Sequence, residues 1–324
     1  MAHTKNVRTK LIAATSALLA VGVVSAPSSQ AALPKSKCAL FPANNVWHSD
    51  ISRLPVNKRS SAWLSSSNAK SRRLHPDFGP SDTSVPYGIP YEETPANRSK
   101  VSVTFNYADE SDKGPYPFAS TTPIEGGQSA SGDRHGLMVD PSCRLYELYD
   151  AHYKSGGGST AGSGAIWNLK TNALRPSGWT SADAAGLPIL PGLLRLDEVK
   201  AGKVDHAVRF TVAKTDKSFV WPARHQAGSS SNRNLPPMGA RFRLKASYSL
   251  SGLRPDTQVI LKAFKKYGLI LADNGSDWYF GGTSEKGWPT PLLDQLKQVP
   301  ASAFEAVDAS SLMVSANSAE ARKK

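Results

Sequence analysis

Short segments with β-strand character recur along the chain and are separated by clusters of Gly, Pro, Asn and Ser. The 324 residues include 25 Gly and 23 Pro, so regular structure is interrupted often. Alternating apolar residues and β-branched or aromatic side chains predict short strands at residues 101–107, 206–212, 219–221, 241–246, 269–272 and 278–280. Many short strands predict a mainly β fold, either a β-sandwich or a jelly-roll, with a few short helices.

Helical patterns occur in only a few places. Residues 57–69, 256–267 and 290–298 have helical character, and residues 180–183 resemble the start of another short helix. No linker composition interrupts the chain after its first residues. We therefore expect one β-rich domain over residues 32–308 and a disordered tail over residues 309–324.

The first 31 residues have the pattern of a secretory signal peptide. Lys5, Arg8 and Lys10 precede an uncharged, mostly apolar run over residues 11–24, and small residues follow, with a cleavage site after Ala31. The apolar run is shorter than the ~20 residues that a membrane helix needs. The sequence therefore predicts a secreted, extracellular protein without a stable membrane anchor. A retained anchor is the alternative.

The chain contains two cysteines, Cys38 and Cys143. In an oxidising compartment an even pair most simply forms one disulfide, which here would tie down the N-terminal arm. Two free thiols are the alternative. Two cysteines alone do not make a zinc site, and no histidine motif with metal-ligand spacing is present, so the sequence predicts no metal and no cofactor.

The segment DRHGLMVDPSCRLYELYDAH, residues 133–152, predicts a β-hairpin with its turn at Asp140. If Val139 pairs with Arg144, then Gly136 lies opposite Glu147 and leaves space above that carboxylate. A register slip of one residue would move Glu147 to the other face.

In this register, Arg134, Glu147 and Tyr149 share one face of the hairpin, and His135 lies on the other. A carboxylate, a guanidinium and a phenol around the space that Gly136 leaves could bind a sugar or transfer a proton. The alternative is an ordinary cross-strand ion pair between Arg134 and Glu147, with Tyr149 in the core.

Further candidate chemistry lies in residues 180–210, a stretch rich in charged residues, Pro and Gly. Asp183 is a candidate for presentation to a cleft, although a role at a helix start is the alternative. His206 begins a predicted strand. It is a candidate for substrate binding, and the alternative is a buried histidine whose ring nitrogens are hydrogen-bonded within the protein. Glycoside hydrolysis requires two carboxyl groups about 5–9 Å apart. We therefore predict two sets of site residues. The catalytic candidates are Asp133, Glu147, Asp183 and Tyr149; the substrate-binding candidates are Arg134, His135, His206 and Trp167.

The basic balance of charge favours anionic partners such as acidic polysaccharide, teichoic polymers or nucleic acid, although no specific nucleic-acid recognition is expected. The formal charge is +13 and falls to about +10 without the first 31 residues, which hold three Lys or Arg and no acidic residue. Lys and Arg are spread along the chain without aromatic-interleaved basic runs. A solvated basic surface is therefore the favoured interpretation.

Several motifs resemble those of an uncharacterised family of secreted actinobacterial proteins, some of which carry an automatic ATP/GTP-binding label. The motifs, which span roughly residues 38–308, are FPANNVW, LHPDFG, ESD, GPYP, GDRH, TSADAAGLP, PPMG and YGLILADNG. The resemblance implies secretion and one continuous domain. It assigns no catalytic residue.

These observations lead to a functional hypothesis. We expect a secreted carbohydrate-active protein that cleaves a polysaccharide or cell-wall polymer by hydrolysis or elimination. The export signal, the predicted β architecture, the tryptophans and the Arg134, Glu147 and Tyr149 face support it. A non-catalytic cell-wall or glycan-binding module is the main alternative, and a structural secreted protein is a third possibility.

Overall fold

A computed structural model describes residues 1–2 and 32–323 of the chain, and it is mainly β with short helices, as the sequence predicts. The strands of this described part are β1 (His75–Pro76), β2 (Tyr91–Glu93), β3 (Val103–Phe105), β4 (Gly136–Val139), β5 (Arg144–Tyr149), β6 (Ser159–Ala161), β7 (Ser163–Asn168), β8 (Val208–Val212), β9 (Arg241–Leu244), β10 (Leu269–Asn274), β11 (Tyr279–Phe280) and β12 (Phe304–Val307). The helices are α1 (Ser60–Ser66), α2 (Leu196–Lys200), α3 (Pro255–Lys266) and α4 (Thr290–Leu296).

The strands form two larger sheets and one small one. The six-stranded sheet has the order β1-β11-β8-β10-β9-β12, and β8 runs parallel to β10. The four-stranded sheet has the order β2-β4-β5-β7, and β3 pairs with β6 separately. Both larger sheets contribute side chains to one apolar core, in which Leu145 and Trp167 from the smaller sheet join Phe210 and Leu271 from the larger one. The result is a β-sandwich-like fold with few helices.

Three of the predicted helices are present as α1, α3 and α4. In α3, Ile260, Leu261 and Phe264 are fully buried, and the chain leaves the helix at Gly268, where φ is +69°. Glycine adopts this left-handed backbone without the steric cost that a Cβ brings.

Two local predictions were wrong. Residues 180–183 form no helix: the Asp183 carboxylate bonds to Arg209, the Asp183 amide donates to the Ser181 hydroxyl, and the Thr180 amide donates to Glu110. A turn closed by the Gly186 amide on the Asp183 carbonyl replaces the helix. Residues 219–221 form only an isolated bridge at Phe219, since Pro222 follows and has no amide to continue a ladder.

The predicted disulfide between Cys38 and Cys143 is present, and the two cysteines are 105 positions apart in sequence. It joins the N-terminal segment to the turn between β4 and β5. This bond therefore attaches the described residues around Cys38, which form no strand, to the four-stranded sheet.

The C-terminal residues are packed against the fold, which differs from the disordered tail that we expected from their composition. Leu312 is 1% exposed, and Ala319 and Ala321 are also buried. The Ala319 amide donates to the Asn172 carbonyl, and its own carbonyl accepts from the Val46 amide. Three buried apolar side chains and backbone hydrogen bonds to residues far away in sequence hold this mostly polar segment against the fold.

The predicted signal peptide covers residues 1–31. Residues 3–31 of it lie outside the part of the chain that the structure describes. Within the part that is described, no helix has the length and apolar character needed to cross a bilayer.

Candidate functional site

Two adjacent pockets that share lining residues lie at the C-terminal end of β10, beside the start of β4, and are described below as the two lobes of one polar cleft. The larger lobe has a volume of about 360 Å³ and the smaller one about 230 Å³. Asp133, Asp273 and Asn274 line both lobes and therefore mark their junction. The larger lobe is also lined by Tyr107, Glu110, Tyr149, Thr180, Asp183 and His225. The smaller lobe is also lined by Asp77, Glu125, His135, Arg209, Thr211 and Tyr279.

A bidentate ion pair between Arg209 and Asp183 forms the inner wall. Arg209 projects from β8, and its Nε and Nη2 each donate to one carboxylate oxygen of Asp183 at 2.7 Å. Asp183 is 1% exposed, so both of its oxygens are used within the protein. Such a parallel pair fixes the guanidinium in one orientation. Arg209 Nη2 also lies 4.0 Å from Asp273 Oδ2.

A second ion pair joins His135 to Glu125. His135 Nδ1 donates to Glu125 Oε2 at 2.6 Å, and Nε2 donates to the Ala182 carbonyl at 3.0 Å. Burial by itself would lower the pKa of His135, but the facing Glu125 carboxylate outweighs it and raises the pKa to about 9. His135 is therefore a cation at neutral pH, with both ring nitrogens engaged.

The two carboxyl groups at the junction have different environments. The Asp273 side chain is 28% exposed, and burial, followed by the nearby charge of Asp183, raises its pKa to about 7. Asp133 is exposed to solvent. A pair of carboxyl groups in unlike surroundings is the usual basis for dividing acid and base roles.

The structure brings four of the predicted site residues to this cleft: Asp133, Asp183, Tyr149 and His135. The other four, Glu147, Arg134, His206 and Trp167, lie elsewhere. These four residues lie away from the cleft for two reasons. The hairpin has a different register from the predicted one, and the charged side chains form hydrogen bonds inside the protein.

The predicted hairpin register was wrong by one residue. Leu137 lies opposite Glu147, and Gly136 lies opposite Leu148. The loop is one residue longer than we assumed, since Cys143 takes a left-handed backbone with φ of +65° before the strands pair.

Glu147 consequently faces the core and is fully buried. It accepts hydrogen bonds from the Ile189 and Leu190 amides, each at 2.9 Å, and from Trp167 Nε1 at 3.1 Å. These bonds fasten the segment around Ile189 to β5. Trp167 is 3% exposed, so its ring is a core group with no face open to a sugar.

Arg134 and His206 have structural positions. Arg134 is 6% exposed and donates to the carbonyls of Ala151, Gln128 and Ala130, which supports the loop that carries Asp133. His206 is 2% exposed and bonds to Glu198 of α2 at 3.2 Å. Neither side chain lines the cleft.

The charged residues of the cleft that sequence reasoning missed include Arg209, Asp273 and Asp77. A signal for two of them was present. Arg209 is the one charged residue in the apolar strand HAVRFTV, and Asp273 ends the apolar run LILA. Charged groups at such positions need a partner or a cleft, because burying an unpaired charge is costly.

Within the described residues, no three His, Cys, Asp or Glu side chains are arranged to share a metal ion. Comparison of the chain with protein-family models, with curated proteins and with solved structures finds no match. The cleft geometry therefore carries the functional argument.

Proposed function

We propose that this protein is a secreted polysaccharide hydrolase that uses Asp273 as the proton donor and Asp133 as the second carboxylate. One observation carries the proposal: both residues line both lobes of the cleft. A glycan that fills the two lobes would place the linkage between its sugars beside this pair. The N-terminal export signal supports an extracellular substrate.

The two carboxyl groups have the unlike surroundings by which acid and base roles are divided in glycoside hydrolysis. With a pKa of about 7, a large part of Asp273 is protonated near neutral pH and donates its proton to the departing glycosidic oxygen. Asp133, as a carboxylate, either removes a proton from the attacking water or attacks the anomeric carbon itself. Either course adds water across the bond and produces one new reducing end.

Asp183 acts as a positioning residue in this proposal. Both of its oxygens accept hydrogen bonds from Arg209, so it is not available for proton transfer. Its negative charge instead contributes to the raised pKa of Asp273. The bidentate bond also holds Arg209 near the same carboxyl group.

Exposed aromatic faces support a sugar as the ligand. Tyr107 is 57% exposed and lines the larger lobe together with Tyr149, and Tyr279 lines the smaller lobe. Aromatic rings that combine an apolar face with a polar tip suit ligands with both kinds of surface.

Hydrolysis is favoured over elimination by the charges in the cleft. An eliminase acting on a uronate would need a cation to neutralise the substrate carboxylate and a base to take a proton. Arg209 is already bonded to Asp183, and both ring nitrogens of His135 are engaged. Six carboxyl groups line the two lobes, which opposes the approach of an anionic sugar.

Incubation of the mature protein with a panel of neutral, amine-bearing and uronate polysaccharides tests this proposal. We expect new reducing ends without ultraviolet-absorbing ends, and we expect Asp273→Asn to lower the rate by at least about a hundredfold. The matched control is Asp82→Asn, which removes an exposed carboxylate that lines neither lobe. Ultraviolet-absorbing products would indicate elimination, and binding without product would indicate a glycan-binding module.

A further inference from the structure

A glutamate and a histidine lie side by side in the wall of the larger lobe. Glu110 ends a short 3₁₀ turn, Ala108–Glu110, and His225 comes from a loop more than a hundred residues later in the chain. Their nearest atoms, Glu110 Oε2 and His225 Nε2, are 3.8 Å apart. Hydrogen bonds of this kind span about 2.7–3.2 Å, so the two side chains are neighbours that do not bond to each other.

Each of these two side chains is held in place by one backbone group. The Thr180 amide donates to Glu110 Oε2 at 2.9 Å, and His225 Nδ1 donates to the Ala184 carbonyl at 2.8 Å. Because a carbonyl only accepts, Nδ1 carries the proton of the neutral ring, and Nε2 is then an acceptor. Among the described residues, no protein group donates to His225 Nε2 or to Glu110 Oε1.

Two unused acceptors in one wall of a cavity call for two donors from a ligand. A single hydroxyl group supplies one O–H donor and serves only one of them. Two hydroxyl groups on adjacent carbons of a sugar ring supply two donors side by side. An ether at these positions removes the donors and leaves the acceptors facing oxygen atoms, which lowers the affinity.

The same turn that carries Glu110 also carries an aromatic ring into the lobe. The Glu110 amide donates to the Tyr107 carbonyl at 3.2 Å, and the Tyr107 side chain, 57% exposed, lines the lobe beside Glu110. The volume of about 360 Å³ falls in the range of small-ligand sites. A ring face and two acceptors are thus presented together to one ligand.

From this geometry we propose that the larger lobe binds a sugar through two adjacent free hydroxyl groups, which donate to Glu110 and to His225 Nε2. The inference rests on the proposed polysaccharide hydrolase and names its substrate class. That class is a neutral polysaccharide whose linkage leaves a pair of adjacent hydroxyl groups free, as 1,4-linked hexose polymers do. Glu110 and His225 act as specificity residues.

Equilibrium binding of matched oligomers tests the inference separately from catalysis. The ligands are hexamers of 1,4-linked glucose or mannose, whichever binds more tightly, methylated either at O2 and O3 or at O6 alone. The titrations use an Asp133→Asn background, so that no ligand is cleaved, at about pH 8, where an ordinary imidazole is neutral. We expect the O6 ether to bind like the unmodified hexamer and the O2,O3 ether to bind about tenfold more weakly.

Two variants in the same background assign this discrimination to the pair. His225→Asn keeps a donor for the Ala184 carbonyl but lacks Nε2, and Glu110→Gln replaces a carboxylate by an amide that also donates to ether oxygens. Each should remove most of the discrimination. The matched control is His152→Asn, which removes a histidine that is also beside a carboxylate but lines neither lobe.

The outcomes separate this inference from the proposed function. Equal binding of the two ethers, discrimination that survives both variants, or absence of binding by both unmodified hexamers overturns the inference. Absence of cleavage across the polysaccharide panel, with hydroxyl-dependent binding intact, overturns the proposed function instead.

Discussion

Asp273 changes its protonation in the pH range in which a general acid is most effective. Burial and the neighbouring Asp183 raise its pKa to about 7. In the proposed mechanism the protonated form is the active one, so kcat/KM should be highest below this pH and fall about tenfold for each unit above it. The measurement is the pH profile of kcat/KM on the polymer that the panel identifies.

Asp183→Asn provides a further check on the same profile. The substitution removes a negative charge near Asp273 and releases Arg209, and both changes lower the pKa of Asp273. The alkaline limb of the profile should therefore move to lower pH. An unchanged or alkaline-shifted limb contradicts the assignment of Asp273 as the acid.

Glu147 illustrates a residue whose role is structural although its sequence context indicated catalysis. Glu147→Ala leaves three buried donors without their acceptor and should lower the free energy of unfolding by about 3 kcal/mol or more. Glu147→Gln retains an acceptor and should lose less, with cleavage by the folded protein retained. Denaturant titrations and reducing-end assays measure these effects. Loss of cleavage by a stably folded Glu147→Gln would place this residue in the chemistry.

The pKa of Glu147 also has a consequence for stability. Burial raises this pKa from 4.5 to about 7, so the group stabilises the fold fully below pH 4.5, and this contribution is lost as the pH rises through 7. The free energy of unfolding, measured by denaturant titration at several pH values, should therefore depend on pH less strongly in Glu147→Gln than in the wild type. Identical profiles for the two proteins would contradict a raised pKa.

At the scale of secondary structure, the disulfide links two elements that are distant in the chain. Cys38 and Cys143 are 105 residues apart, and a loop of about this length predicts about 4–5 kcal/mol of stabilisation on the chain-entropy model. Addition of a reductant should therefore move the denaturation midpoint of the wild type to lower denaturant. A Cys38→Ala/Cys143→Ala variant should not respond to the reductant. A midpoint shift equal to zero in the wild type would show that the bond does not stabilise the fold.

The type of the longer helices and of the hairpin was predictable from local patterns, whereas strand register was not. The helix α3 follows from its buried apolar positions and from Gly268, both of which are visible in the sequence. The β4–β5 hairpin was also predictable, but its register depends on the left-handed backbone of Cys143. A non-glycine residue at positive φ gives little warning in a sequence, and a shift of one residue exchanges the two faces of a strand.

At the scale of the molecule, the cleft results from contacts between segments far apart in sequence. Asp133 and Tyr149 flank the hairpin and were predictable as neighbours. Asp273 comes from the other sheet, where the parallel pairing of β10 with β8 sets it opposite Thr211, a long-range pairing that no local pattern specifies. The net charge was equally uninformative, since a chain with an excess of Lys and Arg forms a cleft in which six carboxyl groups and one Arg line the wall.

The comparison of wild type, Asp133→Asn and Asp82→Asn on one cleavable polymer tests the central claim most directly. The rate of reducing-end release is measured at equal concentrations of folded protein. The proposal that the junction of the two lobes is the catalytic centre predicts that Asp133→Asn lowers this rate at least about a hundredfold and that Asp82→Asn matches the wild type. A folded Asp133→Asn variant that cleaves at the wild-type rate would contradict the account.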